Sequence, residues 1–166
     1  MPVVTFVGKS NSGKTTFLEK VIANLTERGY RVATVKHHAH TTEVDDIKKD
    51  SWRHAQAGSV VSMVSSPTQL SIVHQMQDEA TMEQIAQEAQ RASCDVLLAE
   101  GFKRLDYPKI EVSRLERSDE PICEPTELVA FVTNNEALHA RYISTVPVFD
   151  LNDIEEFCSF FVRRFL

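Results

Sequence analysis

Residues 8–15 read G-K-S-N-S-G-K-T and follow the apolar run Val3-Val4-Thr5-Phe6-Val7. Two glycines with four residues between them, then a lysine, then a hydroxyl residue, form the pattern of a phosphate-binding loop. The pattern constrains the fold because it joins a buried strand to a following helix. Gly8 and Gly13 allow backbone angles that turn successive N–H groups into a concave nest. That nest and the N-terminus of the helix attract phosphate oxygens. Lys14 can reach the β- and γ-phosphates of a nucleoside triphosphate, and Thr15 can offer its hydroxyl to Mg²⁺. A Gly/Ser turn carrying an exposed lysine is the bland alternative, and the flanking strand-like and helix-like runs argue against it.

The rest of the chain alternates in the same way. After the loop, Phe17, Leu18, Val21, Ile22 and Leu25 recur at helical spacing, and Arg28-Gly29 is a stop signal. Residues 31–36 are Val-rich and read as a second strand, so strand, helix and strand make a βαβ unit with a parallel pair. Residues 46–57 look helical. Two β-rich runs, 59–65 and 70–75, flank Ser66-Pro67-Thr68-Gln69 and predict a hairpin. Met82, Ile85, Ala86, Ala89 and Ala92 predict another helix, and 96–99 is a short apolar run typical of a strand buried on both faces. Further strands are expected at 109–113, 128–133 and 146–149. Ile154, Phe157, Cys158, Phe161, Val162 and Phe165 mark a final helix. The pattern predicts an open, mostly parallel α/β sheet with helices on both faces and a hairpin extension at about 59–75. No repeat or linker stands out, so 1–166 is expected to be one nucleotide-binding domain.

The net charge of −6 argues against a nucleic-acid coat, and no run approaches the roughly 18 apolar residues of a membrane span. No signal peptide is evident. Cys94, Cys123 and Cys158 are far apart and form no C-x-x-C pair, as expected of thiols in a reducing cytoplasm.

In an open parallel sheet, ligands bind beyond the carboxyl ends of the strands. That rule brings four clusters to one edge: the loop, Lys36-His37-His38-Ala39-His40, Glu100-Gly101-Phe102-Lys103-Arg104 and Thr133-Asn134-Asn135. Glu100 is at the correct end to hold Mg²⁺ or its water, whereas Asp95 opens the same strand about 13 Å away. His38 and His40 share one side of an extended chain. They suit phosphate contacts, a metal site or a plain solvated loop. Lys9, Lys103 and Arg104 add positive charge, and in one class of such proteins a lysine at the place of Lys9 crosses a dimer interface. Asp45, Asp46 and Asp50 are candidates for a nucleotide-sensing segment or for simple helix-start acids. The guanine-reading N-K-x-D is absent, and Thr133-Asn134-Asn135 is a candidate reader of a purine edge.

The segments G-K-S-N-S-G-K-T-T, V-K-H-H-A-H, K-D-S-W-R-H-A-Q-A-G, A-E-G-F-K-R and P-K-I-E-V-S-R, in this order, resemble the MobB family, molybdopterin-guanine dinucleotide biosynthesis protein B. The resemblance runs from Val3 to about Phe157 and implies a P-loop NTPase-like fold. It also implies GTP and Mg²⁺ as cofactors, weak GTP hydrolysis and a homodimer. The implied role is an adapter that assists the molybdopterin guanylyltransferase, with molybdopterin or its molybdate form as the other partner. Gly8, Asn11, Gly13, Lys14, Thr15 and Thr16 match the family's phosphate loop, and Glu100 its magnesium-side acid. Lys36, His37, Lys49, Asp50, Ser51 and Arg53 match its second and third segments. The chain departs from the family at Lys48, where glycine is common; lysine does not readily take a glycine-only turn. The hairpin is implied to take part in dimerisation.

The expected site therefore has Lys14 and Glu100 as catalytic residues and Thr15 and Glu100 as magnesium ligands. Gly8, Lys9, Ser10, Asn11, Ser12, Gly13, Lys14, Thr15, Thr16, Lys36, His37 and Lys103 are the expected nucleotide contacts. Two other functions compete. A small-molecule kinase would need lid arginines, for which only the stretch 114–117 is available; a metallochaperone GTPase would use the histidine cluster.

Overall fold

A computed structural model describes residues 1–37, 50–117 and 120–166. The chain divides into two units, residues 1–37 with 85–166, and residues 38–84. The first unit is built on six strands: β1 (Val3–Val7), β2 (Val32–Lys36), β5 (Val96–Glu100), β6 (Lys109–Ser113), β7 (Leu128–Thr133) and β8 (Val148–Asp150). Their order is β2-β5-β1-β6-β7-β8, and every pairing is parallel.

One expectation is corrected here. β1 and β2 flank a single helix in sequence, yet they do not pair with each other; β5 lies between them. The reason is burial. All five residues of β5 are buried, as a central parallel strand requires, whereas β2 alternates between half-buried and exposed, as an edge strand can.

Two apolar clusters hold the sheet. On one face, Val4, Phe6, Val96, Leu98, Ile110, Val112, Ala130 and Val132 meet the helices α1 (Lys14–Glu27) and α5 (Ile154–Phe165). The helices contribute Phe17, Leu18, Val21 and Leu25 from α1, and Phe157, Cys158 and Phe161 from α5. Phe157 lies edge-on to Phe17, with ring centroids 4.9 Å apart. The second cluster joins Val7, Leu128, Phe131 and Val148 to Leu138 and Tyr142 of α4 (Glu136–Tyr142). The side chains of successive strand residues thus serve opposite faces, which is why β1, β5 and β7 read as nearly continuous apolar runs. The sequence reading assigns no element to 136–142. With seven residues, α4 buries only Leu138 and Tyr142, too few for a visible period. A 3₁₀ turn at Pro125–Glu127 was equally silent.

In the second unit, α2 (Asp50–Gln56) is followed by an antiparallel hairpin of β3 (Val61–Ser65) and β4 (Leu70–His74). The turn closes through Ser66, whose N–H donates to the Gln69 carbonyl at 2.8 Å. Reciprocal bonds between Thr81 and Gln84 form a capping box that opens α3 (Met82–Arg91). Of the helix expected at 46–57, residues 50–56 form α2, while its start at 46–49, the turn at Lys48, the acids Asp45 and Asp46, and His38, His40 and Lys49 lie outside the described residues. No helix among the described residues is long and apolar enough to cross a membrane.

Candidate functional site

The loop between β1 and α1 takes the conformation its glycines permit. Gly8 has φ 141°, Asn11 φ 62° and Gly13 φ 86°. A Cβ on Gly8 would lie 2.3 Å from the Val112 carbonyl oxygen, so the loop passes β6 closer than any side chain allows. Asparagine tolerates the left-handed region better than most residues, which suits position 11. Gly13 caps α1 without a side-chain bond, and the first turn carries no acid, so its N–H groups have no side-chain anion of their own. The Lys14 ammonium folds back over the loop and donates to the Gly8 carbonyl at 2.9 Å and the Lys9 carbonyl at 2.7 Å. Burial lowers the Lys14 pKa; the Lys36 charge adds to this, while the Glu100 charge opposes it.

Beside the loop, the Thr15 hydroxyl donates to the Glu100 carboxylate at 2.9 Å. The Lys36 ammonium lies 3.3 Å from the same carboxylate and 3.4 Å from the Thr15 oxygen. This cluster follows from register: Lys36 of β2 and Phe6 of β1 are both opposite Glu100 of β5. Glu100 is 8% exposed, so Thr15 and Lys36 take the place of the water its carboxylate has lost. Asp95, at the other end of β5, accepts from the Arg31 N–H at 2.8 Å and has no part in the site.

The His37 N–H donates to the Glu100 carbonyl, and its ring stacks at a tilt 4.8 Å from Phe102. Gly101, at φ 98°, comes so near that an added Cβ would be 3.2 Å from the His37 Cβ.

A cavity of about 540 Å³ opens between these parts, within the range of nucleotide-sized sites. It is lined by Ser10, Asn11, Gly13, Lys14, Thr15, Thr16, Lys36, His37, Glu100, Gly101 and Arg114. Gly8 and Ser12 sit in the loop behind the lining, and the charge of Lys9 acts on buried Glu111. Lys103 is exposed in the turn after β5 and is not part of the lining.

Four residues differ from the sequence reading or were absent from it. Asn135 is committed to capping α4, accepting from the N–H groups of Ala137 and Leu138. Asn134 accepts from the Leu115 N–H at 2.8 Å. Neither side chain lines the cavity, which weakens their reading as a purine reader. Arg114 does line it, although the strand-end rule was not applied to β6; extending the rule to residue 114 finds it. Glu111, 1% exposed, accepts from the N–H groups of Ile122 and Cys123 at 2.7 and 3.0 Å. It ties a loop to β6, and burial raises its pKa.

The donor set suits a phosphate chain and a hard cation. The Ser12 hydroxyl is buried in the loop with no hydrogen-bond partner among the described residues. The loop amides and Lys14 offer donors to an anion, while a threonine hydroxyl beside a carboxylate is the kind of oxygen pair that a hard cation prefers.

The family model for molybdopterin guanine dinucleotide synthesis protein B matches residues 3–134. The chain is 34% identical over 160 residues to the molybdopterin-guanine dinucleotide biosynthesis adapter protein of Haemophilus influenzae, covering 96% of this chain and 87% of the relative. It is 31% identical over 170 aligned residues to the protein of that name from Escherichia coli, covering 98% and 93%. Its fold matches the crystal structure of Bacillus subtilis MobB with a TM-score of 0.80 at 26% identity, covering 100% of this chain and 99% of that one.

Proposed function

The chain belongs to the molybdopterin guanine dinucleotide synthesis protein B family, and on that premise we propose that it is a GTP-binding adapter of molybdenum-cofactor maturation. The reading is carried by the Thr15 hydroxyl on the Glu100 carboxylate at the edge of a nucleotide-sized cavity. In this reading the loop amides, Lys14, Ser12 and Thr16 hold the phosphates of GTP. Thr15 and Glu100 are the magnesium ligands, and bound Mg²⁺ would draw charge from the β- and γ-phosphate oxygens. Lys36 balances Glu100, and His37 braces the turn after β5. Hydrolysis is slow, because the Glu100 carboxylate is already engaged by Thr15 and Lys36 and is poorly placed to act on water.

The partners in this proposal are the guanylyltransferase, molybdopterin or its molybdate form, and a second copy of the chain. A two-stranded hairpin is marginal alone in water. One face of β3 and β4 carries Met63, Leu70 and Ile72, all exposed, and this apolar face supports the hairpin as the dimerisation element of a single nucleotide-binding domain. Three free cysteines support a reducing, cytoplasmic setting.

Titration calorimetry with GTP, ATP and molybdopterin, with and without the guanylyltransferase, tests the reading. GTP binding together with faster dinucleotide formation in the presence of this protein is expected. Arg114 beside the cavity favours one second reading, a small-molecule kinase. Metabolite-dependent production of GDP or ADP above background would replace the adapter by the kinase.

A further inference from the structure

We propose that Arg114 is a polyphosphate-binding residue, its guanidinium supplying a cationic wall of the cavity from the β6 side. The proposal rests on the cavity being a nucleotide site. Arg114 is the first residue beyond β6, the strand that pairs with β1 on the side away from β5. It lines the same cavity as Lys14 and Thr15. Its stem covers the start of α1 so closely that a Cβ on Gly13 would meet the Arg114 Cδ at 2.9 Å. The side chain thus lies along the helix end, where unpaired N–H groups favour an anion.

The backbone that carries Arg114 is held on two sides. The next residue, Leu115, donates its N–H to the Asn134 side chain at 2.8 Å. Arg117 donates its N–H to the Arg114 carbonyl, and its Nε donates to the Ser10 carbonyl of the phosphate loop at 2.9 Å. The turn is therefore tied both to the end of β7 and to the loop itself. The guanidinium, by contrast, has a weak partner: its Nε lies 3.5 Å from Glu116, and both side chains are well exposed, at 43% and 61%. An exposed pair of this kind contributes little and exchanges readily. A phosphate chain offers the planar fork two oxygens at once, in a less solvated place.

Charge balance points the same way. Lys36 is matched by Glu100, so Lys14 is left to face a strongly negative triphosphate with few other cations among the described lining residues. Arg114, whose one ion pair is the exposed and weak one to Glu116, supplies a second positive charge free to turn to an anion.

Competition against a fluorescent guanine nucleotide, by GTP and by inorganic tripolyphosphate, tests the assignment in wild type, Arg114→Met and Arg114→Lys. Arg114→Met should weaken both competitors about tenfold, and Arg114→Lys should recover part of the loss. Arg114→Gln should give the same loss as the methionine variant and stands in should that variant not fold. Unchanged tripolyphosphate affinity in the neutral variants overturns the proposal, including the case in which GTP alone weakens, since the arginine would then serve the base or ribose. A wild-type protein that binds neither competitor overturns the nucleotide reading itself.

Discussion

The Thr15 hydroxyl donates to both carboxylate oxygens of Glu100, at 2.9 and 3.0 Å, across 85 residues of chain. A shared hydrogen bond of this kind fixes the hydroxyl's proton and leaves its lone pairs directed away from the carboxylate. The Lys36 ammonium lies 3.3 Å from one of these carboxylate oxygens and 3.4 Å from the Thr15 hydroxyl, so a positive charge already lies where the two oxygen groups converge. Glu100→Gln removes one unit of negative charge and keeps the shape. Nucleotide binding should persist in that variant while its magnesium dependence weakens. Calorimetry with and without Mg²⁺ checks this, and equal magnesium dependence in both proteins would count against the role of Glu100.

Lys14 makes its two bonds to loop carbonyls, so removing it empties the loop's centre without disturbing the apolar clusters. Lys14→Ala should abolish nucleotide binding and leave the circular-dichroism spectrum unchanged. The wild type should also bind nucleotide less tightly as pH rises toward the lowered Lys14 pKa. Phosphate favours the charged amine, so binding falls once the amine is neutral. Because burial lowers that pKa, the fall should begin below the ordinary lysine value of about 10.4. A dissociation constant that stays flat up to that value would contradict the burial argument.

Two glycines separate steric from conformational strain. Gly8→Ala places a methyl group 2.3 Å from a backbone oxygen at a positive φ, whereas Gly29→Ala meets nothing within 4 Å and is strained only by φ 93°. Chemical denaturation should find Gly29→Ala about 1 kcal/mol less stable than wild type, and Gly8→Ala less stable still by roughly 1–3 kcal/mol. Equal losses would mean that the loop backs away from β6 at little cost.

Glu111 sets a pH dependence of stability. Burial raises its folded-state pKa, so between the unfolded value, about 4.3, and the raised one the folded protein holds a proton that the unfolded chain lacks. Stability from this group is greatest below the unfolded value and falls as pH rises through the window. Glu111→Gln, which still accepts from a loop N–H, should flatten that decline in urea midpoints measured from pH 4 upward. A slope identical to wild type would show that the carboxylate titrates normally.

The thiols should differ in reactivity. Burial pushes Cys158 up to about 11, and burial with the nearby Glu111 charge pushes Cys123 to about 11. At pH 8 each is thiolate only about one part in a thousand of the time. Cys94 is partly exposed. Brief alkylation of the native protein should modify Cys94 alone, and denaturation should release the other two, as peptide mapping would read. Prompt labelling of Cys158 would contradict its burial beneath Phe157 and Phe161.

The central strands β1 and β5 were legible because parallel strands buried on both faces are largely apolar, and 3–7 and 96–99 fit that pattern. Glu100 was legible because a carboxylate at the end of such a run needs a reason to be there. The neighbour of β1 was not legible: adjacency in sequence favoured β2, and only relative burial, a property of the folded sheet, puts β5 between them. Asn135 was ambiguous in kind, since the same side chain serves a purine edge or a helix cap, and the short α4 that it caps left no period to decide. Glu111 could not be interpreted at all, because its partners are backbone N–H groups of the loop that follows β6 and carry no side-chain signature.

Insertion of β5 between β1 and β2 has a consequence for synthesis. A nascent chain carries the complete loop motif once residue 15 is made, and Lys36 soon after, but the strand that joins them ends at Glu100. Until then the first two strands have no shared neighbour, and the ammonium has no carboxylate. Any capacity for a ligand at this site should therefore arrive late, with the closing of contacts far apart in sequence. A fragment stopped before residue 96 holds the motif in full and should bind no nucleotide.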